Sequence, residues 1–249
     1  MEIDLADDVA VVTGAGNGLG RGVAIELARY GAAVALLDRD TDGLAVTAAE
    51  ITGSGGRCSA WAVDVADNDQ VESAVKEVQA RWGDPSILIT AAAIDESVDL
   101  GDMAIASWRR MIDVNLNGTF YPLKAVIPGM RRRGYGRIVL FGSNIALKGG
   151  HQIAHYGAAK GAIHSLTRCA ALDLAGDGIT VNCIAPGPIE TDMLWSLPPA
   201  WLAAKKAELP LGRFGRVEEI VPTVVLLASK LSSYTTGSIV NVSGGDVLQ

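Results

Sequence analysis

Short apolar runs alternate with longer segments of helical periodicity along all 249 residues of the chain. The runs at 9–13, 33–38, 58–63, 87–90, 137–141, 180–184 and 238–242 show no polar alternation, the pattern of strands covered on both faces of a parallel sheet. Between them, apolar positions recur at helical spacing over 19–30, 68–82 and 156–174, and the first helix stops at Gly31, a residue suited to the left-handed cap that ends helices. Regular βα alternation predicts a single α/β domain over 1–249, a doubly wound (Rossmann-type) seven-stranded parallel sheet with helices on both faces. Ligands of such sheets bind beyond the carboxyl ends of the strands. One irregular stretch, 186–212, carries Pro188, Pro198, Pro199 and Pro210 with Met193, Leu194, Trp195 and Trp201. A long apolar excursion between two elements predicts a lid, placed at 188–212, with an oligomer contact as the alternative.

The first strand runs into Thr13-Gly14-Ala15-Gly16-Asn17-Gly18-Leu19-Gly20 and then directly into a helix. The spacing is T-G-x-x-x-G-x-G rather than G-x-G-x-x-G, but the physical demand is shared: backbone N–H groups and a helix N-terminus must approach a pyrophosphate without Cβ atoms intervening. Gly14, Asn17, Gly18, Leu19 and Gly20 are therefore candidate cofactor contacts. Asp38 ends the second strand 18 positions after Gly20, near the ~20 expected of an acid that accepts hydrogen bonds from ribose hydroxyls and repels a 2′-phosphate. This favours NAD(H) over NADP(H), although Arg39 is adjacent. Asp64 and Val65 close the third strand and are placed at the adenine edge, with Ala91 after the fourth strand beside them.

Composition narrows the class. Half the chain is apolar and 20% is charged, which suits a packed globule. The formal net charge of -7 argues against a nucleic-acid or anionic-membrane surface. The acidic start, Met1 to Asp8, lacks the basic and apolar character of a secretory signal, and no apolar run approaches the ~18 residues of a membrane span. Three cysteines spaced far apart, Cys58, Cys169 and Cys183, indicate neither a disulfide framework nor a zinc knuckle. A cytoplasmic location follows as the expectation, with no metal.

Tyr156 and Lys160 stand four residues apart on an expected helix and so share one face. A phenol titrates near 10, and an adjacent ammonium lowers that value by stabilising the phenolate. So tuned, a tyrosine exchanges a proton with a carbinol or carbonyl oxygen near neutral pH. Ser143 closes the preceding strand, thirteen residues before Tyr156.

Together these residues resemble the short-chain dehydrogenase/reductase family over nearly the whole chain. The glycine loop matches at Thr13, Gly14, Gly18 and Gly20, the Asn-bearing helix at Asp113-Val114-Asn115, the serine at Ser143, and Y-x-x-x-K at Tyr156 and Lys160. Pro186-Gly187-Pro188-Ile189-Glu190-Thr191 is similar to the family's P-G-x-I-x-T turn. The resemblance implies Tyr156 as general acid/base, Lys160 lowering its pKa and holding the nicotinamide ribose, Ser143 bonding the substrate oxygen, and Asn115 holding a water in a proton relay. It also implies Pro186, Gly187, Ile189 and Thr191 at the nicotinamide, and a homotetramer.

Two stretches depart from the family pattern. Thr90-Ala91-Ala92-Ala93 stands for N-N-A-G, predicting altered packing on the adenosine side, and Val242-Ser243-Gly244-Gly245 stands for V-D-G-G, putting a local hydrogen bond in doubt. Ile145, Gln152, Met193 and Trp195 are expected at the substrate, with His151 and His155 near its entrance rather than on a metal. The expectation is an NAD-dependent oxidoreductase passing hydride between nicotinamide and a small-molecule secondary alcohol or ketone, its apolar part under the lid. Its rivals are an NADPH-dependent 3-oxoacyl-[acyl-carrier-protein] reductase, for which Arg131-Arg132-Arg133 is the only positive sign, and a catalytically silent nucleotide-binding scaffold.

Overall fold

The computed structural model describes residues 3–248; Met1 and Glu2, part of the acidic start, lie outside them. Its elements run β1 (Val9–Thr13), α1 (Gly18–Arg29), β2 (Ala33–Asp38), α2 (Thr41–Gly53), β3 (Arg57–Ala62), α3 (Asn68–Trp82), β4 (Ile87–Thr90) and α4 (Ile105–Ile112). After a π-helical turn at Asp113–Asn117 follow α5 (Gly118–Arg133), β5 (Gly136–Phe141), α6 (Ile145–Lys148), α7 (Ala154–Leu174) and β6 (Ile179–Pro186). The chain closes with α8 (Asp192–Trp195), α9 (Pro199–Glu208), α10 (Val217–Ala228) and β7 (Ile239–Val242).

All seven strands are parallel, in the order β3-β2-β1-β4-β5-β6-β7. Successive strand side chains point to opposite faces, so Val12, Val34 and Ile89 pack with Val23, Leu27 and Val224 on one side. Val11, Ala35 and Leu88 pack with Val75, Val126 and Ile163 on the other. Strand order reverses between β1 and β4, and the crevice above that switch point is where the chain places its glycine loop.

Burial on both faces holds for β1, β2, β4, β5 and β6 but not for the sheet edges: β3 and β7 are largely half-buried or exposed. Their apolar residues divide between the two faces, Cys58, Val240 and Val242 packing on one and Trp61 and Ile239 on the other, while Ala60 and Ala62 are exposed. Gly31 ends α1 as expected, with φ +98° and its N–H donating to the Ala28 carbonyl. The stretch read as irregular contains two helices. Pro199 sits at the first position of α9, where a missing N–H costs nothing, and Leu194, Leu209 and Phe214 form a small buried cluster with Leu197 and Leu202. No described helix is long and apolar enough to cross a membrane.

Candidate active site

A cavity of about 830 Å³ lies across the carboxyl ends of the strands, and Gly14, Asn17, Gly18, Leu19 and Gly20 line one end of it. Asn17 caps α1, its side-chain oxygen accepting from the Gly18 N–H at 2.6 Å, which aims the helix N-terminus and its positive dipole end at the cavity. Gly14 has φ +69°, and a Cβ there would fall 2.6 Å from the Ala92 nitrogen; at Gly20 a Cβ would fall 2.1 Å from the Gly14 carbonyl oxygen. The loop is thus a cradle whose shape depends on absent side chains. Asp38 reaches the same end, accepting from Gly16 N–H at 2.9 Å and Asp40 N–H at 3.0 Å. One lone-pair site remains on each oxygen for ribose hydroxyls. These groups fit a dinucleotide.

Asp64, Val65 and Ala91 line the cavity beyond Asp38. The Asp64 carboxylate turns to the Ala66 N–H at 3.0 Å and to Arg110 at 3.6 Å; Arg110 is a cavity residue that sequence reasoning missed. At the other end stand Pro186, Gly187, Ile189 and Thr191. Where N-N-A-G is absent, the Thr13 hydroxyl accepts from the Ala92 N–H at 3.4 Å, and the Thr90 hydroxyl is buried without a partner. Ser243, in place of the usual Asp, lies 3.4 Å from both the Val247 N–H and its carbonyl, a long replacement contact.

Tyr156, Ser143 and Lys160 meet where β5 ends and α7 begins. The phenol lies beside the Ser143 hydroxyl, which favours its ionised form and whose oxygen accepts from the Ile145 N–H at 3.1 Å. One turn further, the fully buried Lys160 donates to the Phe141 carbonyl at 2.8 Å, its Nζ 5.7 Å from the Tyr156 ring centre. The electrostatics differ from the sequence expectation. Burial pushes the phenol up to about 12, with the Asp95 carboxylate adding to the rise and Ser143 opposing it. Burial likewise brings Lys160 down to about 8. Desolvation at this spot therefore outweighs the Ser143 contact that favours the phenolate, and the lowering expected from Lys160 is not among the causes.

Asn115 is fully buried in the π-helical turn and does not line the cavity. Its carboxamide closes on the backbone of Ile94, donating to the carbonyl at 3.0 Å and accepting from the N–H at 3.3 Å, and it also donates to Met111 O at 3.2 Å. This clamp fixes the loop that presents Asp95, a cavity residue whose carboxyl is raised by burial. A π-bulge at such a position is typical of functional sites.

Of the expected substrate residues, Ile145, Gln152 and Met193 line the cavity. Gln152 adopts φ +61°, a conformation rare outside glycine, with its carbonyl accepting from Val98 N–H at 2.8 Å. Trp195 does not line it: the single turn of α8 buries Leu194 and turns Trp195 outward, 53% exposed and edge-on to Phe214 at 6.0 Å. His151 lines the cavity, whereas His155 is buried behind it with Nε2 3.4 Å from Glu96. Asp192, Trp201, Lys148, Lys205 and Asp246 also line it, brought together from segments too distant for any sequence motif. The arginine run lies at the opposite end of the sheet, where α5 ends before β5. There Arg131 pairs with Asp177 at 2.7 Å, Arg132 with Asp84 at 2.6 Å, and Arg133 reaches the Asp84 and Asp7 carbonyls.

A doubly wound sheet carrying a glycine cradle, an acid at the end of its second strand and a Ser-Tyr-Lys cluster on one cavity defines a Rossmann-type protein whose cavity fits a dinucleotide. Comparison with known proteins agrees. A family model described as enoyl-(acyl carrier protein) reductase matches residues 14–246. The 2-dehydro-3-deoxy-L-rhamnonate dehydrogenase (NAD(+)) of Sphingomonas sp. (strain SKA58) is 38% identical over 95% of this chain and 94% of its own. The 3-oxoacyl-[acyl-carrier-protein] reductase FabG of Pseudomonas aeruginosa is 35% identical over 98% of each. A crystal structure of a short-chain type dehydrogenase/reductase from Mycobacterium marinum superimposes with a TM-score of 0.95 at 34% identity, covering 99% of this chain and 98% of that one. The chain belongs to the short-chain dehydrogenase/reductase family of oxidoreductases.

Proposed function

We propose that the protein is an NAD-dependent dehydrogenase interconverting a small secondary alcohol and its ketone. The reading is carried by the convergence of Tyr156, Ser143 and Lys160 on a cavity whose far end presents Asp38. A nicotinamide dinucleotide, when bound, supplies the hydride donor or acceptor and, when oxidised, a positive charge. Gly14, Asn17, Gly18, Leu19 and Gly20 would hold its pyrophosphate, Asp38 its adenosine ribose, Asp64, Val65 and Ala91 its adenine side, and Pro186, Gly187, Ile189 and Thr191 its nicotinamide side. Ser143 fixes the substrate oxygen, and Tyr156, held protonated by burial, donates its proton to a carbonyl in the reducing direction; in the oxidising direction its phenolate, favoured by the positive charge an oxidised cofactor would bring, takes the proton from the carbinol. Lys160, its Nζ 5.7 Å from the Tyr156 ring centre, would hold the nicotinamide ribose. Asn115 acts by clamping the Ile94 backbone.

Residues 188–212 serve as the lid: Met193, Leu194 and Trp201 from this segment form the apolar wall of the cavity. Homotetramer formation is what membership of the family supports, and three free thiols among the described residues suit a cytoplasmic setting. The remote, internally paired Arg131–Arg133 run leaves the carrier-protein reductase reading without its one sign from the sequence.

The test is a panel of secondary alcohols assayed by NADH absorbance with NAD+ and NADP+ side by side, on wild type and Tyr156→Phe. Turnover that prefers NAD+ and vanishes in Tyr156→Phe, with NADH binding retained, is expected. Preference for NADP+ overturns the role of Asp38, wild-type turnover by Tyr156→Phe overturns the mechanism, and inactivity across the panel favours the silent scaffold.

A further inference from the structure

A cluster of charged groups stands where the lid helix, the turn after Ser143 and the C-terminal segment converge on the cavity wall. At its centre is Asp246, whose side chain is only 6% exposed. Lys148 Nζ donates to both of its oxygens at 2.7 Å, Lys205 Nζ to Oδ1 at 2.5 Å, and Asn144 Nδ2 to Oδ2 at 2.5 Å. A carboxylate offers about four lone-pair sites, and these contacts take all of them. Each ammonium has three N–H groups. Lys148 directs two at Asp246, while Lys205 directs one at Asp246 and one at Glu208 at 3.2 Å. One N–H on each lysine is left over, and both lysines line the cavity.

Glu208, 67% exposed on the rim, also lines the cavity, so the cluster holds two cations and two anions, the second anion screened by solvent. A saturated acceptor flanked by two ammoniums with spare N–H groups presents donors to the cavity. The C-terminal turn holds it in place. Leu211 N–H, at the end of the lid, donates to the Gly244 carbonyl at 3.3 Å. Asn144 adjoins Ser143 in the chain, and Lys148 follows Ser143 by five residues, ~7.5 Å at helical rise.

We propose that this cluster is a substrate-anion subsite: Lys148 and Lys205 hold a carboxylate of the substrate several bonds from the reacting carbon, and Asp246 is the positioning residue for both ammoniums. The substrate class is then a hydroxy acid and its oxo acid. The inference rests on the dehydrogenase reading of Tyr156 and Ser143.

The test compares kcat/KM with NAD+ for 3-hydroxybutyrate and D-gluconate against methyl 3-hydroxybutyrate and 2-butanol as uncharged probes, with glycerol 3-phosphate as the phosphate probe. Calorimetric binding of the two acids in the presence of NADH is measured in parallel. An acid is expected to exceed the uncharged probes by roughly tenfold or more, the scale of a charge-assisted hydrogen bond. Lys148→Met and Lys205→Met should remove that preference through KM, Lys205→Arg should keep most of it, and Asp246→Asn should raise KM for the acid but not for the ester. An acid-to-ester ratio near one in wild type, or a ratio unchanged in both methionine variants, overturns the subsite, and a preference for glycerol 3-phosphate overturns its assignment to a carboxylate. If nothing turns over, the dehydrogenase reading fails separately. Acid binding that weakens in the methionine variants then still supports the subsite, and binding that is absent or unchanged in them overturns it.

Discussion

Replacing Lys160 by methionine should make the protein more stable while disabling it. Lys160 is 2% exposed, and its one protein hydrogen bond is to the Phe141 carbonyl at 2.8 Å. Burial lowers its pKa from 10.5 to about 8, which corresponds to a cost of about 3 kcal/mol for keeping the ammonium charged in the native state at neutral pH. Methionine fills a similar volume without that cost but leaves the carbonyl unpaired, a loss of about 1–2 kcal/mol. The net gain is about 1–2 kcal/mol at pH 7, or roughly 2–8 °C in Tm for a chain of this length.

The pH dependence separates this cause from better packing. Between about pH 8 and 10.5 the native lysine sheds its proton while the unfolded chain retains it, so the wild type gains stability as pH rises through that window. The advantage of Lys160→Met should therefore shrink between pH 7 and pH 9.5 in thermal unfolding followed by circular dichroism. A variant less stable than wild type at pH 7, or an advantage that grows with pH, would refute the reasoning. Its NAD-linked turnover should fall roughly tenfold to a hundredfold, the scale of a lost charge-assisted hydrogen bond to the cofactor ribose.

His164 behaves in the opposite pH range. Burial, with Arg168 and Lys160 adding, lowers it to about 4, so stability present above pH 6.5 is lost as pH falls toward 4, and His164→Leu should flatten that slope in acid unfolding curves. Asp38→Ala removes the ribose acceptor and should weaken NADH binding roughly tenfold to a hundredfold, while the kcat/KM ratio of NADH to NADPH falls; an unchanged ratio would deny Asp38 its selecting role. In Gly20→Ala, a methyl 2.1 Å from the Gly14 carbonyl oxygen must displace backbone, costing about 1–3 kcal/mol of stability and loosening NADH in fluorescence titration. Wild-type stability in that variant would mean the loop yields freely.

The strand core could be read from sequence because burial on both faces leaves continuous apolar runs, and α3 (Asn68–Trp82) was recovered to its ends because its amphipathic pattern is uninterrupted. Other elements hid for stated physical reasons. Pro122 and Pro128 sit inside α5, where each removes an N–H donor and reads as a break. The π-helical turn at Asp113–Asn117 depends on what the Asn115 carboxamide meets across space, the Ile94 backbone 21 residues away. Tyr156 and Lys160 could be paired from sequence because their spacing is helical, one turn apart. Lys148, Lys205 and Asp246 could not, because their contacts span 41 to 98 residues. Trp195 misled because apolar size in a lid segment does not say which way one helical turn faces.

The same polar groups that line the cavity also hold the lid in place. Its buried apolar cluster consists of Leu194, Leu209 and Phe214, with Leu197 and Leu202 half-buried against it, which is little surface to order a segment of this length. The rest comes from polar ties at its two ends. Near the glycine loop, Asn17 Nδ2 donates to Asp192 at 2.6 Å, so the residue that caps α1 also holds α8. At the other end Lys205 of α9 binds Asp246. The Asn17–Asp192 tie is exposed and contributes little by itself, whereas the Lys205–Asp246 tie is largely buried, so the α8 end of the segment is the more easily released. On the proposed function Asn17 belongs to the cofactor cradle and Lys205 to the substrate wall, so a ligand competing for either group would act directly on the anchoring of this segment. Trp195 is the one large side chain of α8 directed away from the cavity, edge-on to Phe214, and its contribution lies in packing that turn against the small cluster rather than in touching substrate.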